Sequence, residues 1–199
     1  MFHARTIAVH AAAFGGGFVI MSLELLGGRV LAPWFGGSIH VWGSIITVFM
    51  VALAAGYLIG GRLSLRNPTL DKLGGAFLGA AVVLYPLVHL ADPAMRWIFD
   101  AIEDPRYGSL AASLVLFALP TVLLGMISPY AVRLLVRNAP ESGNVAGTLY
   151  FVSTLGSAAG TLGTSFYFVL WFRVDTILTG LVATLVVLAA IAFAGGRAP

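Results

Sequence analysis

Few residues of this 199-residue chain have a type and setting suited to chemistry. Glu24 is the acidic residue that falls inside a long apolar run. A carboxylate in such a setting is costly and usually faces a cavity or a partner. Two readings follow from its neighbours. Glu24 is a proton or cation site, or it pairs with Arg29, five residues on, or with a neighbouring backbone amide near the outer interface. A second group lies further along. Tyr150, Ser153, Thr154 and Ser157 stand at i, i+3, i+4 and i+7, which is one face of a helix. Such a hydroxyl face lines a polar path or knits helices together.

Other chemistry is absent from the pattern. The chain has no Cys, hence no disulfide, thiolate metal site or thiol nucleophile. Its four histidines, His3, His10, His40 and His89, show no H-E-x-x-H spacing, and no metal site is expected. Gly15-Gly16-Gly17 and Gly27-Gly28 lie in or at the end of an apolar run, without the strand–turn–helix setting a phosphate loop needs. No nucleophile or acid–base set converges, so neither an enzyme active site nor a cofactor is expected in this chain.

The elements that must position these residues follow from composition. Hydrophobic residues make up 59% and charged residues 10%, against about 25% charged in a soluble domain. That balance excludes a soluble globule and a disordered chain, and it predicts an all-α polytopic membrane protein. Six candidate spans run roughly Ile7–Gly28, Val41–Gly61, Leu73–Ala91, Leu110–Val132, Val145–Leu170 and Thr176–Ala194. Met95, Ile98, Phe99 and Ile102 recur at helical spacing between the third and fourth spans, which predicts a short interfacial helix within the linker 93–109.

Charge asymmetry sets the expected orientation. With the N-terminus inside, Arg5, Arg62, Arg66, Lys72, Arg133, Arg137 and Arg197 are cytoplasmic, and Arg29, Arg96, Arg106 and Arg173 are outside. Seven against four favours both termini in the cytoplasm of a bacterial inner membrane. Trp34, Trp42, Trp97 and Trp171 then form an outer aromatic belt. The scattered basic residues do not suggest nucleic-acid binding. The first run is long enough to span, so a cleavable signal peptide is not expected.

The chain also matches itself at an offset of 104 residues: from Arg29 to Leu84, 14 of 56 positions are identical. Ala54-Ala55-Gly56 faces Ala158-Ala159-Gly160, and Asp71 faces Asp175. Two three-helix repeats, about 6–92 and 110–196, would enter the membrane from opposite sides, as in many secondary transporters. Gly56-x-x-x-Gly60, Gly75-x-x-x-Gly79 and Gly156-x-x-x-Gly160 are candidate helix-packing motifs. The first and third are expected where the second and fifth spans cross.

Four stretches resemble one family. They are Glu24–Ser38 (ELLGGRVLAPWFGGS), Gly56–Arg62 (GYLIGGR), Leu124–Arg133 (LGMISPYAVR) and Gly147–Thr161 (GTLYFVSTLGSAAGT). Together they are similar to the membrane portion of bacterial spermidine synthase-like proteins, described as fused transporter/spermidine synthase proteins. The resemblance implies a membrane module that handles a polyamine or another small cation. It would act beside a cytoplasmic synthase-like partner, which another chain would supply. The alternative is a non-catalytic anchor or assembly subunit of a larger membrane complex. Self-association of copies fits either role.

Overall fold

The computed structural model describes residues 2–136 and 138–197, and every regular element among them is helical. Arg137 and the side chain of His3, both expected on the inner side, lie outside that description. Nine α-helices follow in order: α1 (Phe2–Phe35), α2 (Ile39–Leu63), α3 (Leu70–Leu84), α4 (Leu87–Ala101), α5 (Pro105–Gly125), α6 (Ile127–Leu135), α7 (Ser142–Gly163), α8 (Val169–Trp171) and α9 (Val174–Arg197). A single π-helical turn, Thr164–Phe168, joins α7 to α8.

Five stretches are long and apolar enough to cross a membrane: Arg5–Phe35, Ile39–Leu63, Pro105–Leu135, Ala139–Trp171 and Val174–Arg197. The sixth expected span is a pair, α3 and α4, bent by 50° at Tyr85–Pro86. Proline lacks the N–H that would continue the ladder, so the carbonyl of Val82 loses its helical donor, while Tyr85 and Pro86 both keep right-handed helical angles. The break thus falls at Pro86 and not at the expected Asp92-Pro93, and Pro93 lies inside α4. The linker does hold a helix, α4, but it starts at Leu87. It buries Met95 and Ile98 and leaves Trp97 outside.

Helix α1 is the largest departure in length. It continues seven residues past the expected end at Gly28, straight through Pro33, and stops only at Phe35. Pro33 removes the donor for the carbonyl of Arg29, and Arg29 is exposed, where that carbonyl can find another donor. Gly36 ends the helix in the left-handed region, φ +78°, with its N–H bonded to Ala32 O at 2.9 Å.

Helix α1 packs most extensively on α7, α2 on α5 and α3 on α9, with α1 also against α9 and α3 against α5. Hydrogen bonds fix which ends meet. The Arg5 guanidinium donates to Leu134 O at 2.7 Å, and the N–H of Thr69 donates to the Tyr130 hydroxyl at 3.1 Å. The start of α1, the α2–α3 turn and the end of α6 therefore share one end of the bundle, which carries Arg5, Arg62, Arg66, Lys72 and Arg133. At the opposite end Ser44 and Ser109 share a hydrogen bond of 3.1 Å, and Phe99 stacks on Trp34 and Phe35 at 5.7 and 5.8 Å.

Candidate functional site

Glu24 owes its place to the extra length of α1. The ring of Trp34, ten residues on, marks one end of the bundle by its contact with α4. Ten residues of helix rise about 15 Å. Glu24 therefore stands about 15 Å along α1 from that end. It is half-buried and makes no hydrogen bond or ion pair among the described residues.

The expected pairing with Arg29 does not form; Arg29 points out of the protein. Five residues turn a helix by about 140°, which puts the two side chains on different faces. The sole ion pair among the described residues is Arg173–Asp175, at 3.2 Å and largely exposed. Such a pair contributes little to stability.

On α1, Gly17, Met21, Glu24 and Gly28 recur at i, i+4, i+7 and i+11 and share a face. A side chain at Gly17 would collide with the backbone carbonyl of Ser153 and stand 2.9 Å from Ser157 Oγ. One at Gly28 would stand 2.6 Å from the indole of Trp42. Glu24 thus sits on a stripe that runs from the hydroxyl region of α7 toward the start of α2.

The hydroxyl face of α7 is split. Ser153 and Ser157 are half-buried toward α1, whereas Tyr150 and Thr154 are exposed. The glycines decide this. Gly156 and Gly160 permit the closest approach, so the contact with α1 centres on them and turns Tyr150 and Thr154 outward. Thr148 and Thr161 bond back to carbonyls of their own helix, Asn144 O and Ser157 O, both at 2.9 Å. Bonds of this kind satisfy a hydroxyl without linking helices. The crossing bond comes from α1, where the buried Ser22 Oγ donates to Gly160 O at 3.4 Å.

The glycine motifs also have different partners from those expected. A Cβ at Gly156 or Gly160 would run into the carbonyls of Phe14 and Phe18 on α1. A Cβ at Gly56 would meet the carbonyl of Val122 on α5, and at Gly60 the backbone of Met126. So α2 and α7 form no packed interface with one another among the described residues; α2 lies parallel to α5, and α7 lies parallel to α1. Gly75 has open space, and Gly79 meets only Leu123 at 3.9 Å. Helix α3 instead brings Gly74 against Phe193 and Ala189 of α9.

Two features escaped the sequence pattern. The π turn at Thr164–Phe168 directs Phe168 edge-on to Phe18, at 6.3 Å. Thr164 is fully buried there with no partner for its hydroxyl, as is Thr121 on α5. π turns within α-helices occur often at functional sites. An apolar groove lined by Phe18, Phe168, Phe172, Ile177, Gly180 and Thr184 runs beside it. Among the described residues no three His, Cys, Asp or Glu side chains cluster as metal ligands. Compared with family models, with curated proteins and with solved structures, the chain matches none.

Proposed function

We propose that this chain is a transport-type membrane module that moves a small cation or a proton through a bundle of two inverted three-helix repeats, with Glu24 as the charge-handling site. The observation that carries the reading is Glu24 itself, half-buried with no hydrogen bond or ion pair among the described residues, at a point of α1 that on this reading is near mid-membrane. Ionisable groups retained at that depth mark ion or substrate pathways. Secondary transporters built from inverted repeats place their sites at that level.

The repeat reading, residues 6–92 and 110–196, draws its support from matched contacts. Gly160 lies against Phe18 O, and Gly56 lies against Val122 O. Both members of the first pair differ by 104 positions from a member of the second, the offset at which the sequence matches itself. The exchange of halves also turns the α1–α7 packing into the α5–α2 packing and leaves α3–α9 in place. A polyamine is the first cation to try, since the motifs resemble a family associated with polyamine synthesis. A cytoplasmic synthase-like protein is the corresponding partner. Purified protein in liposomes should drive uptake of labelled spermidine or a pH change in the lumen. Liposomes no different from protein-free ones in both assays would overturn the proposal.

Orientation belongs to the same reading. The end that gathers most Lys and Arg should face the cytoplasm, with both termini inside. Leu65 is 72% exposed in the α2–α3 turn. Leu65→Cys in this Cys-free chain should resist a membrane-impermeant maleimide in intact cells and react after lysis. Labelling from outside would invert the topology.

One observation favours a second role as anchor or assembly subunit. The span Ala139–Trp171 is only 17% buried over its apolar window, the lowest of the five. It turns Thr154, Ala158 and Gly147 outward, away from α1. Small and hydroxyl residues there suit a further helix better than lipid. On this reading tagged protein from native membranes should carry a stoichiometric partner, and Ala158→Leu should release it. A chain recovered alone would count against the role.

A further inference from the structure

The basic end of the bundle holds a cavity of about 290 Å³ between α2, α3 and α6. Its upper rim is polar, formed by Arg66, Lys72 and Tyr130. Its walls are apolar, formed by Leu63, Leu73, Ala76 and Met126. The two cations are held differently. Lys72 Nζ donates to Arg66 O at 2.7 Å and to Asn67 O at 3.0 Å, which fixes the ammonium at the turn and leaves one N–H free. Asn67 makes this possible by adopting φ 47°, a conformation Asn tolerates better than most residues. The Arg66 guanidinium has no hydrogen bond or ion pair among the described residues. The Tyr130 hydroxyl accepts from Thr69 N–H and keeps its own hydrogen to donate. The nearest acid along the chain, Asp71, turns its carboxylate toward Gly196 at the end of α9.

One ammonium fixed at the turn, one free guanidinium, a hydroxyl donor and an apolar wall describe one kind of ligand. We propose that this cavity binds the phosphate headgroup of an anionic phospholipid from the leaflet on the N-terminal side of the bundle. Arg66 would grip the phosphate oxygens in its planar fork, and Lys72 would add a point charge. A free phosphate ion would satisfy the same rim, but it has no use for Leu63, Leu73 and Met126. The glycerol and the first methylenes of a lipid do. Basic pockets between membrane helices recognise anionic headgroups by these means.

The test is native mass spectrometry of the whole protein released from nanodiscs of equimolar phosphatidylglycerol and phosphatidylcholine. The wild type should retain one phosphatidylglycerol in clear preference to phosphatidylcholine. Arg66→Gln with Lys72→Gln should reduce that retention about ten- to thirty-fold, at about tenfold or less per charge. Because Lys72 also secures the turn, Arg66→Gln alone is the cleaner probe, since its side chain holds nothing in the fold. It should lose part of the preference with unchanged thermal stability. Arg173→Gln, at the other end, should leave retention as it was. Equal retention of the two lipids, or full retention by the double variant, would overturn the site. Displacement of the lipid by millimolar inorganic phosphate would show that the rim selects phosphate alone, and the lipid assignment would fail.

Discussion

Glu24→Gln should bring cation or proton flux in proteoliposomes down to the level of protein-free vesicles, a loss of at least about tenfold, while the protein folds and inserts as before. The two halves of that expectation have separate grounds. Loss of flux follows if the carboxylate handles the moving charge, because Gln keeps the shape and removes the negative charge. Normal folding follows from the surroundings. Glu24 is half-buried and makes no ion pair or hydrogen bond among the described residues, so its replacement orphans none of their groups. Had it been paired with Arg29, the same change would have stranded a cation in the membrane and lowered stability. Glu24→Asp sharpens the result, since it restores charge at a shifted position and should recover part of the flux. Full flux in the Gln variant would remove Glu24 from the mechanism. A collapse in folding would indicate a structural partner.

Gly160→Val and Gly56→Val should each destabilise the protein by about 1–3 kcal/mol or more, seen as a lower midpoint of thermal aggregation in detergent. At both positions a new Cβ runs into a backbone carbonyl, of Phe18 or of Val122, and a carbonyl cannot rotate aside as a side-chain tip can. The helices must separate, and each pair gives up the close packing that holds membrane helices together. Gly75→Ala is the control. Its Cβ meets open space, and Ala is the better helix former by about 0.8–1 kcal/mol, so that variant should be neutral or slightly more stable. The similarity of the two Val variants carries a further meaning. If the halves are inverted copies, the contacts are equivalent and the losses should match to within a small margin. A harmless Gly160→Val would refute the α1–α7 packing.

The ease with which the sequence revealed its structure varied with the cause of each helix end. Helix α2 stops two residues past the expected Gly61, with Arg62 marking the edge of its apolar run. Prolines were harder to place. Pro33 and Pro93 sit inside helices, and Pro86 breaks one, although all three have the same covalent restriction. Exposure of the residue four positions back does not separate them, since Arg29 and His89, behind Pro33 and Pro93, and Val82, behind Pro86, are all exposed. Glu24 was legible as an acid in an apolar run. Its depth was not, because that depends on where α1 ends. Its lack of a partner was partly readable, since an i, i+5 spacing cannot bring two side chains to one face. The partners of the glycines were out of reach. A small-residue motif says that something comes close but not which helix it is, so Gly75 and Gly74 look alike until α9 is in place.

The bend at Tyr85–Pro86 has a bearing on the lipid as well as on the chain. At 1.5 Å per residue, the fifteen residues of α3 cover about 22 Å, while the thirty-four of α1 cover about 51 Å. A bilayer core of about 30 Å is therefore overmatched by one helix and undermatched by its neighbour in the same small bundle. Hydrophobic mismatch of this kind is relieved by tilt of the long helix and by thinning of the bilayer at the short one. Helix α4 meets the remainder, with Met95 and Ile98 held in the protein and Trp97 turned outward. If α3 and α4 together make one broken span, acyl-chain length should act on the angle between them, and bilayer thickness should matter to this chain as well as charge.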